Sequence, residues 1–346
     1  MSAEFVVDLD AMARNLQTIR ETIAPAEHML VVKDDAYAHG IDAVLTRAWA
    51  EGIRWIGALD VTTGVHARDI LGPDARIFAW MIQGPADVAD AVDADLDCGI
   101  GSLALLHEAA AGAGDQPLRV HLKIDTGLHR NGVRPEEWAE FAAQARAYEL
   151  ENRIRVDGIW THIAEASDAE DDRAREEFDR AVEHARAAGL TPEKLHMAAS
   201  AAAFARPEFR YDMVRIGAFA YGIRSTDGPS DAELGIEPIG TLTAPVLGVD
   251  EESQTMTVGV GFAGLSTIYA SHLTAQLAGS ATHLREVKTE ASVFTATQPP
   301  AQPGDRLALF GGSAFESATD IAERIGTIGE EIVLRVSPLI ERRYLP

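Results

Sequence analysis

The chain has 346 residues, and 54 acidic against 30 basic side chains leave a formal charge of −24 and an isoelectric point near 4.8. A field of that sign repels phosphate backbones, and with no Lys/Arg stripe to offset it the composition excludes nucleic acid as a partner. The longest nearly apolar run, residues 197–205 before Arg206, is far shorter than the ~20 residues that a membrane span needs.

At roughly 100–200 residues per domain the length predicts two domains. The opening Met-Ser-Ala-Glu-Phe-Val-Val-Asp lacks the basic stretch and small-residue cleavage site of a secretory signal, which predicts a cytoplasmic protein. Cys98, the one cysteine, has no partner for a disulfide, and no Cys/His spacing points to a metal. It reads as a small buried hydrophobe.

Residues 4–9 alternate like a strand, expected to pair with the C-terminal part of the chain. Strand-like apolar runs follow at 28–33, 55–59, 75–81, 96–100, 118–124, 156–162, 194–198 and 213–220. Helical patterns lie between them at 42–51, 86–93, 103–111, 136–148 and 170–188, two of them closed by Gly52 and Gly189. Eight β/α repeats over this stretch predict a (β/α)8 TIM barrel within an α/β fold. After Gly222 a Gly/Pro/Ser/Asp-rich stretch at 225–240 changes the rhythm, and short strands are expected at 241–249, 255–261, 291–297, 306–310 and 332–336, with a helix at 319–325. The predicted domains are a barrel at 9–235 and a mostly β C-terminal domain at 236–346 that takes in residues 1–8.

In such a barrel the chemistry gathers where the strands end. The first strand delivers Lys33, an apolar-flanked lysine whose partial desolvation suits it to a Schiff base or to proton abstraction, or which merely marks a strand end beside Asp34 and Asp35. On the fifth, alternation sends His121, Lys123 and Asp125 to one side, the expected barrel interior. Polar groups there need a ligand or one another. His162 ends the sixth strand, and taken alone reads as a satisfied core histidine. Ser200 with the amides of Gly217 and Ala218 could cradle an anion beyond the seventh and eighth.

Taken together, V-V-K-D-D-A-Y-A-H-G at 31–40, L-K-I-D-T-G-L-H-R-N-G-V at 122–133, T-H-I-A at 161–164, H-M-A-A-S at 196–200 and R-I-G-A-F-A-Y-G at 215–222 resemble the motifs of alanine racemases, fold-type III enzymes that use pyridoxal 5′-phosphate. The tail I-A-E-R-I-G-T-I-G-E-E-I at 321–332 is similar to theirs as well. The resemblance implies an isomerase acting on a small amino acid, a homodimer, and roles for matched residues. Lys33 would bond the cofactor and act as one racemisation base. Tyr37, Ser200, Gly217 and Ala218 would surround its phosphate, Arg215 would lie beside the pyridine nitrogen, and His162 would pack near the ring and link to Arg215. Arg130 would meet the phenolic oxygen or the substrate carboxylate, and Lys123 would be carbamylated to orient it.

The second half departs from that pattern. The chain runs from T-A-P-V at 243–246 to T-V-G-V-G-F-A-G at 257–264 without the family's catalytic tyrosine, Phe262 replaces a second tyrosine, the Met-Asp-Gln element is not visible near 290–297, Glu330 takes a phosphate-side tyrosine's place, and Ala199 that of an asparagine. Three readings stay open: a racemase whose opposite-face acid is Tyr269, Tyr344 or His272; an enzyme with one base that exchanges the α-proton or decarboxylates; and a barrel that binds the cofactor without turnover.

Overall fold

The computed structural model describes residues 2–312, 314 and 316–346, which form two compact units. One comprises Ile19–Lys33 and Ala48–Gly217, the other Met1–Thr18, Asp34–Arg47 and Ala218–Pro346. The N-terminal strand β1 (Glu4–Asp8) belongs to the second.

The first unit is a closed barrel of eight parallel strands, β2 (Glu27–Val31), β3 (Trp55–Asp60), β4 (Arg76–Met81), β5 (Asp97–Ile100), β6 (Leu118–Lys123), β7 (Ile154–Trp160), β8 (Lys194–His196) and β9 (Met213–Ile216). Closure comes from β2 on β9, in register from Glu27 opposite Met213 to Leu30 opposite Ile216. These strands are buried on both faces, which is why they read as apolar runs rather than alternating ones. Their interior is packed by Met29, Trp55, Phe78, Trp160 and Met213. Crossover helices start where the sequence caps them: Asp60 accepts the Thr63 amide at 2.7 Å and Ser102 that of Leu105 at 3.2 Å, while Pro85 and Pro135 open two others. The helix Asp168–Ala187 is charged along most of its length but turns Ala174, Phe178, Ala181, Val182 and Ala185 inward at i, i+4 spacing.

The second unit carries a mostly antiparallel sheet made of β1, β10 (Gly240–Asp250), β11 (Thr255–Val258), β12 (Thr274–Leu277), β13 (Ser280–Val287), β14 (Ser292–Thr295), β15 (Arg306–Gly311) and β16 (Glu341–Leu345). Its order is β11-β14-β13-β12-β15-β10-β1-β16. The expected pairing of the N-terminal strand is present, antiparallel to β10 and parallel to β16. The run expected as a strand at 332–336 instead falls in and after the helix Gly329–Val333, because a short apolar run does not by itself separate strand from buried helix. The eighth barrel strand stops at Ile216, and Ala218–Tyr221 forms a 3-10 turn.

Candidate active site

Lys33 follows the end of β2 and is half-buried. On β6, Lys123 is the last residue and is 4% exposed. Its ammonium lies 4.2 Å from the centre of the Trp160 ring and donates to Asn131 Oδ1. Desolvation, and then the charges of Arg215 and Arg130, lower its pKa to about 7. The loop beyond is tied back onto the strand by the Val133 amide on the Lys123 carbonyl (2.9 Å) and the Asp125 amide on the Val133 carbonyl (2.9 Å). Asp125 accepts the amides of Gly127 (3.1 Å) and His129 (3.0 Å) and faces His129 Nδ1 at 2.9 Å. Burial raises the Asp125 pKa, but these bonds outweigh it and hold the carboxyl below its ordinary range. Gly132 closes the loop with φ 120°, and a Cβ there would lie 2.8 Å from the Asp125 nitrogen, so only glycine fits. Arg130 stands exposed on this loop.

Arg215, on β9, is 5% exposed. Its Nη2 donates to the carbonyls of Thr161 (2.8 Å) and Met197 (2.9 Å) and to His162 Nδ1 (3.1 Å), and its Nη1 to His196 Nδ1 (3.2 Å). Burial and the neighbouring Arg130 lower its pKa to about 9, which still leaves it charged at neutral pH. The His162 imidazole is pushed down to about 3, first by burial and then by Arg215, Arg130, Lys123 and Lys33. Four basic side chains thus bear on one neutral ring. Among the described residues neither Arg215 nor Lys123 forms an ion pair with a carboxylate. Positive charge gathered in this way at strand ends calls for an anionic ligand.

Ser200 opens the short helix Ser200–Ala205, whose Ala202 amide is taken by Glu165 Oε1 at 3.1 Å, and Gly217 directly follows β9. Tyr37 and Ala218 lie in the other unit. There the Ala218 amide donates to the Tyr37 hydroxyl, the Tyr37 ring packs 4.8 Å from Tyr221, and burial followed by the charges of Glu330 and Asp34 raises the phenol's pKa. Of the tyrosines and histidine weighed as an opposite-face acid, Tyr269 is fully buried with its ring edge-on to Phe310 at 5.9 Å, whereas Tyr344 and His272 are exposed. The sequence reading placed His121 in the interior but missed its partners. His121 Nδ1 lies 2.8 Å from His196 Nε2, and its Nε2 lies 3.5 Å from Asp97.

Fold and site together define a barrel enzyme with a lysine, two arginines and a neutral histidine at the C-terminal ends of its strands. The alanine racemase N-terminal domain family matches residues 7–225. The alanine racemase of Thermobifida fusca is 32% identical over 368 residues, covering 99% of this chain and 98% of that one. Among solved structures, alanine racemase from Corynebacterium glutamicum has a TM-score of 0.90 at 30% identity with 100% of both chains covered, and that from Streptomyces coelicolor a TM-score of 0.92 at 28% identity, covering 99% of this chain and 98% of its own. The chain belongs to the alanine racemase family, isomerases that depend on pyridoxal phosphate.

Proposed function

We propose that this chain interconverts the L and D forms of alanine or another small amino acid with pyridoxal 5′-phosphate at the barrel mouth, as a cytoplasmic homodimer. The observation that carries the reading is the convergence of Lys33, Lys123, Arg130 and Arg215 on a neutral His162, with neither Arg215 nor Lys123 paired to a carboxylate. These residues fit a group bearing a phosphate and a phenolic oxygen together with a substrate carboxylate. When bound, the cofactor acidifies the α-proton of the amino acid it carries.

Lys33 would hold the group through Nζ and move the α-proton on one face. Arg215 carries only donors, so beside a pyridine nitrogen it keeps that nitrogen unprotonated and restrains the ring as an electron sink, which favours plain proton exchange. His162 accepts from Arg215 at Nδ1 and therefore carries its proton on Nε2. Arg130 would take the phenolic oxygen or the substrate carboxylate. Ser200 and the Gly217 amide would bind the phosphate, and Tyr37 and Ala218 keep the phosphate role that the resemblance assigns them. At a pKa of about 7 much of Lys123 is the neutral amine that adds to carbon dioxide, giving a carbamate and a proton. That would set an anion between Arg130 and Arg215.

The departure in the second unit favours one alternative, an enzyme with Lys33 as its sole base, since Tyr269 is sealed in its core. Cofactor-loaded protein incubated with L-alanine, then L-serine, in deuterated water separates the two. D-isomer carrying α-deuterium supports the racemase, and loss of the D-isomer in Tyr344→Phe or His272→Ala would locate the second acid. Deuterium without D-isomer establishes the one-base enzyme, and neither product refutes both.

A further inference from the structure

From Arg215 a line of buried groups descends through the barrel to the opposite ends of its strands. His196 Nδ1 accepts from Arg215 at 3.2 Å, His196 Nε2 lies 2.8 Å from His121 Nδ1, and His121 Nε2 lies 3.5 Å from Asp97 Oδ1. Asp97, the first residue of β5, is gripped by Arg76 at 2.5 and 3.1 Å and approached by Arg119 at 3.3 Å. Asp97, His121 and His196 are each 0% exposed.

Proton positions along this line follow from its two ends, a guanidinium that only donates and a carboxylate that only accepts. His196 Nδ1 must accept, so its proton sits on Nε2. His121 Nδ1 must then accept in turn, which leaves its proton on Nε2, within ion-pair range of the Asp97 carboxylate at 3.5 Å but without a formed hydrogen bond to it. Both rings are clamped by packing: Trp160 stacks on His196 at 5.8 Å and 4°, Phe78 meets it edge-on at 5.5 Å, and a Cβ on Gly158, opposite His121 in the strand register, would lie 2.3 Å from His121 Nδ1.

We infer that Asp97, His121 and His196 are positioning residues, a tautomer relay by which a carboxylate at one end of the barrel fixes the lone pair that aims Arg215 at the other. The relay stands on its own geometry, and only its effect on the cofactor rests on the proposed function. In Asp97→Asn the amide oxygen stays with Arg76 and the amide NH2 turns to His121. Each imidazole then moves its proton to Nδ1, and His196 presents an N–H to the Arg215 donor.

The test is 15N-histidine NMR of the full chain together with the visible absorbance of the pyridoxal-phosphate-loaded protein. Wild type is expected to show Nε2–H at both His121 and His196, and Asp97→Asn to show Nδ1–H at both. The absorbance titration should shift with pH in that variant, and kcat should fall about tenfold or more with KM little changed, as when a group fixing an imidazole tautomer is removed. Asp157→Asn alters the same arginine cluster without touching His121 and should leave tautomers and absorbance as in wild type. Nδ1–H on either ring of the wild type overturns the relay, a result available even if Asp97→Asn fails to fold. Flipped tautomers with an unmoved absorbance overturn the link to the cofactor. Wild type that takes up no pyridoxal phosphate overturns the proposed function, and the NMR result still decides the relay.

Discussion

Acidification from pH 6.5 to 5 should destabilise this protein steeply, because the fold holds three buried histidines neutral. Burial is the main cause at each: His28 and His39 are lowered to about 4, and His196 well below 6.5. In the unfolded chain they titrate near 6.5. Between the two values the unfolded state binds more protons, so stability rises with pH across the window and is lost as pH falls toward the folded value. From pH 6.5 to 5 the ratio of the two binding polynomials changes by about 1.6 kcal/mol per histidine, or about 5 kcal/mol for the three. That compares with the 5–15 kcal/mol that typically separates folded from unfolded chains. His162, lowered to about 3 but partly open to solvent, adds less. Urea unfolding followed by circular dichroism at several pH values measures the loss. His28→Gln, at a ring whose Nε2 lies 3.3 Å from the Ile216 carbonyl, should reduce the pH-dependent part by about a third. A free energy unchanged between pH 6.5 and 5, or a His28→Gln variant with the full pH dependence, would refute this account.

Arg76→Met removes the guanidinium that bonds both Asp97 and Asp157 and should cost about 3 kcal/mol at pH 7, the low end for a broken buried pair because Arg119 and Arg155 remain. A loss below ~1 kcal/mol in denaturant titration would show that those two arginines suffice. Gly158→Ala drives a methyl into the His121 ring, with an expected cost of about 1–3 kcal/mol; unchanged thermal stability would mean that the ring moves freely and is not clamped. For Lys123, lowered to about 7, bicarbonate should raise turnover above pH 7 and have little effect below it, where the ammonium prevails. Equal response to bicarbonate in Lys123→Met would rule out a carbamate at this position.

The barrel was legible because a parallel sheet buried on both faces leaves runs such as Met29-Leu30-Val31 and Ile77-Phe78-Ala79 that no surface element shares. What escaped detection was local. The hairpin of β12 and β13 turns on Ala278 and Gly279, with φ of 48° and 84°, and its strands carry Thr, Gln, Ser and His on the open side, so neither composition nor the turn announces it. In the site, the link of His162 to Arg215 was readable from the resemblance, whereas the company kept by His121 and His196 was not. Asp97 in Leu-Asp-Cys-Gly-Ile reads as a surface charge, and β6 and β8, which bring His121 to His196, are not neighbours in the sheet. Only barrel closure points both rings at each other, a consequence of topology that no window of sequence contains.

The segment after Lys33 shows the same limit and points to a conformational role for its aspartates. Asp34, Asp35, Ala36, Tyr37 and Ala38 all take left-handed φ between 53° and 63°, with no glycine until Gly40. At roughly 1–2 kcal/mol per residue such a turn costs about 5–10 kcal/mol, and persists because the surroundings over-determine it. Asp35 Oδ1 accepts the Ile41 amide at 2.8 Å, the Gly40 amide bonds the Asp35 carbonyl at 3.0 Å, and His39 Nδ1 lies 3.1 Å from the Ala36 carbonyl while its ring stacks on Tyr221 at 5.2 Å. Asp and Asn adopt this conformation at lower cost than Ala. If conformation is their purpose, Asp35→Asn should leave stability within about 0.5 kcal/mol, while Asp35→Ala, losing both the cap and the tolerance, should cost about 2 kcal/mol. If instead Asn and Ala cost the same, the negative charge itself is what this position needs, and the turn is held by its aromatic packing alone.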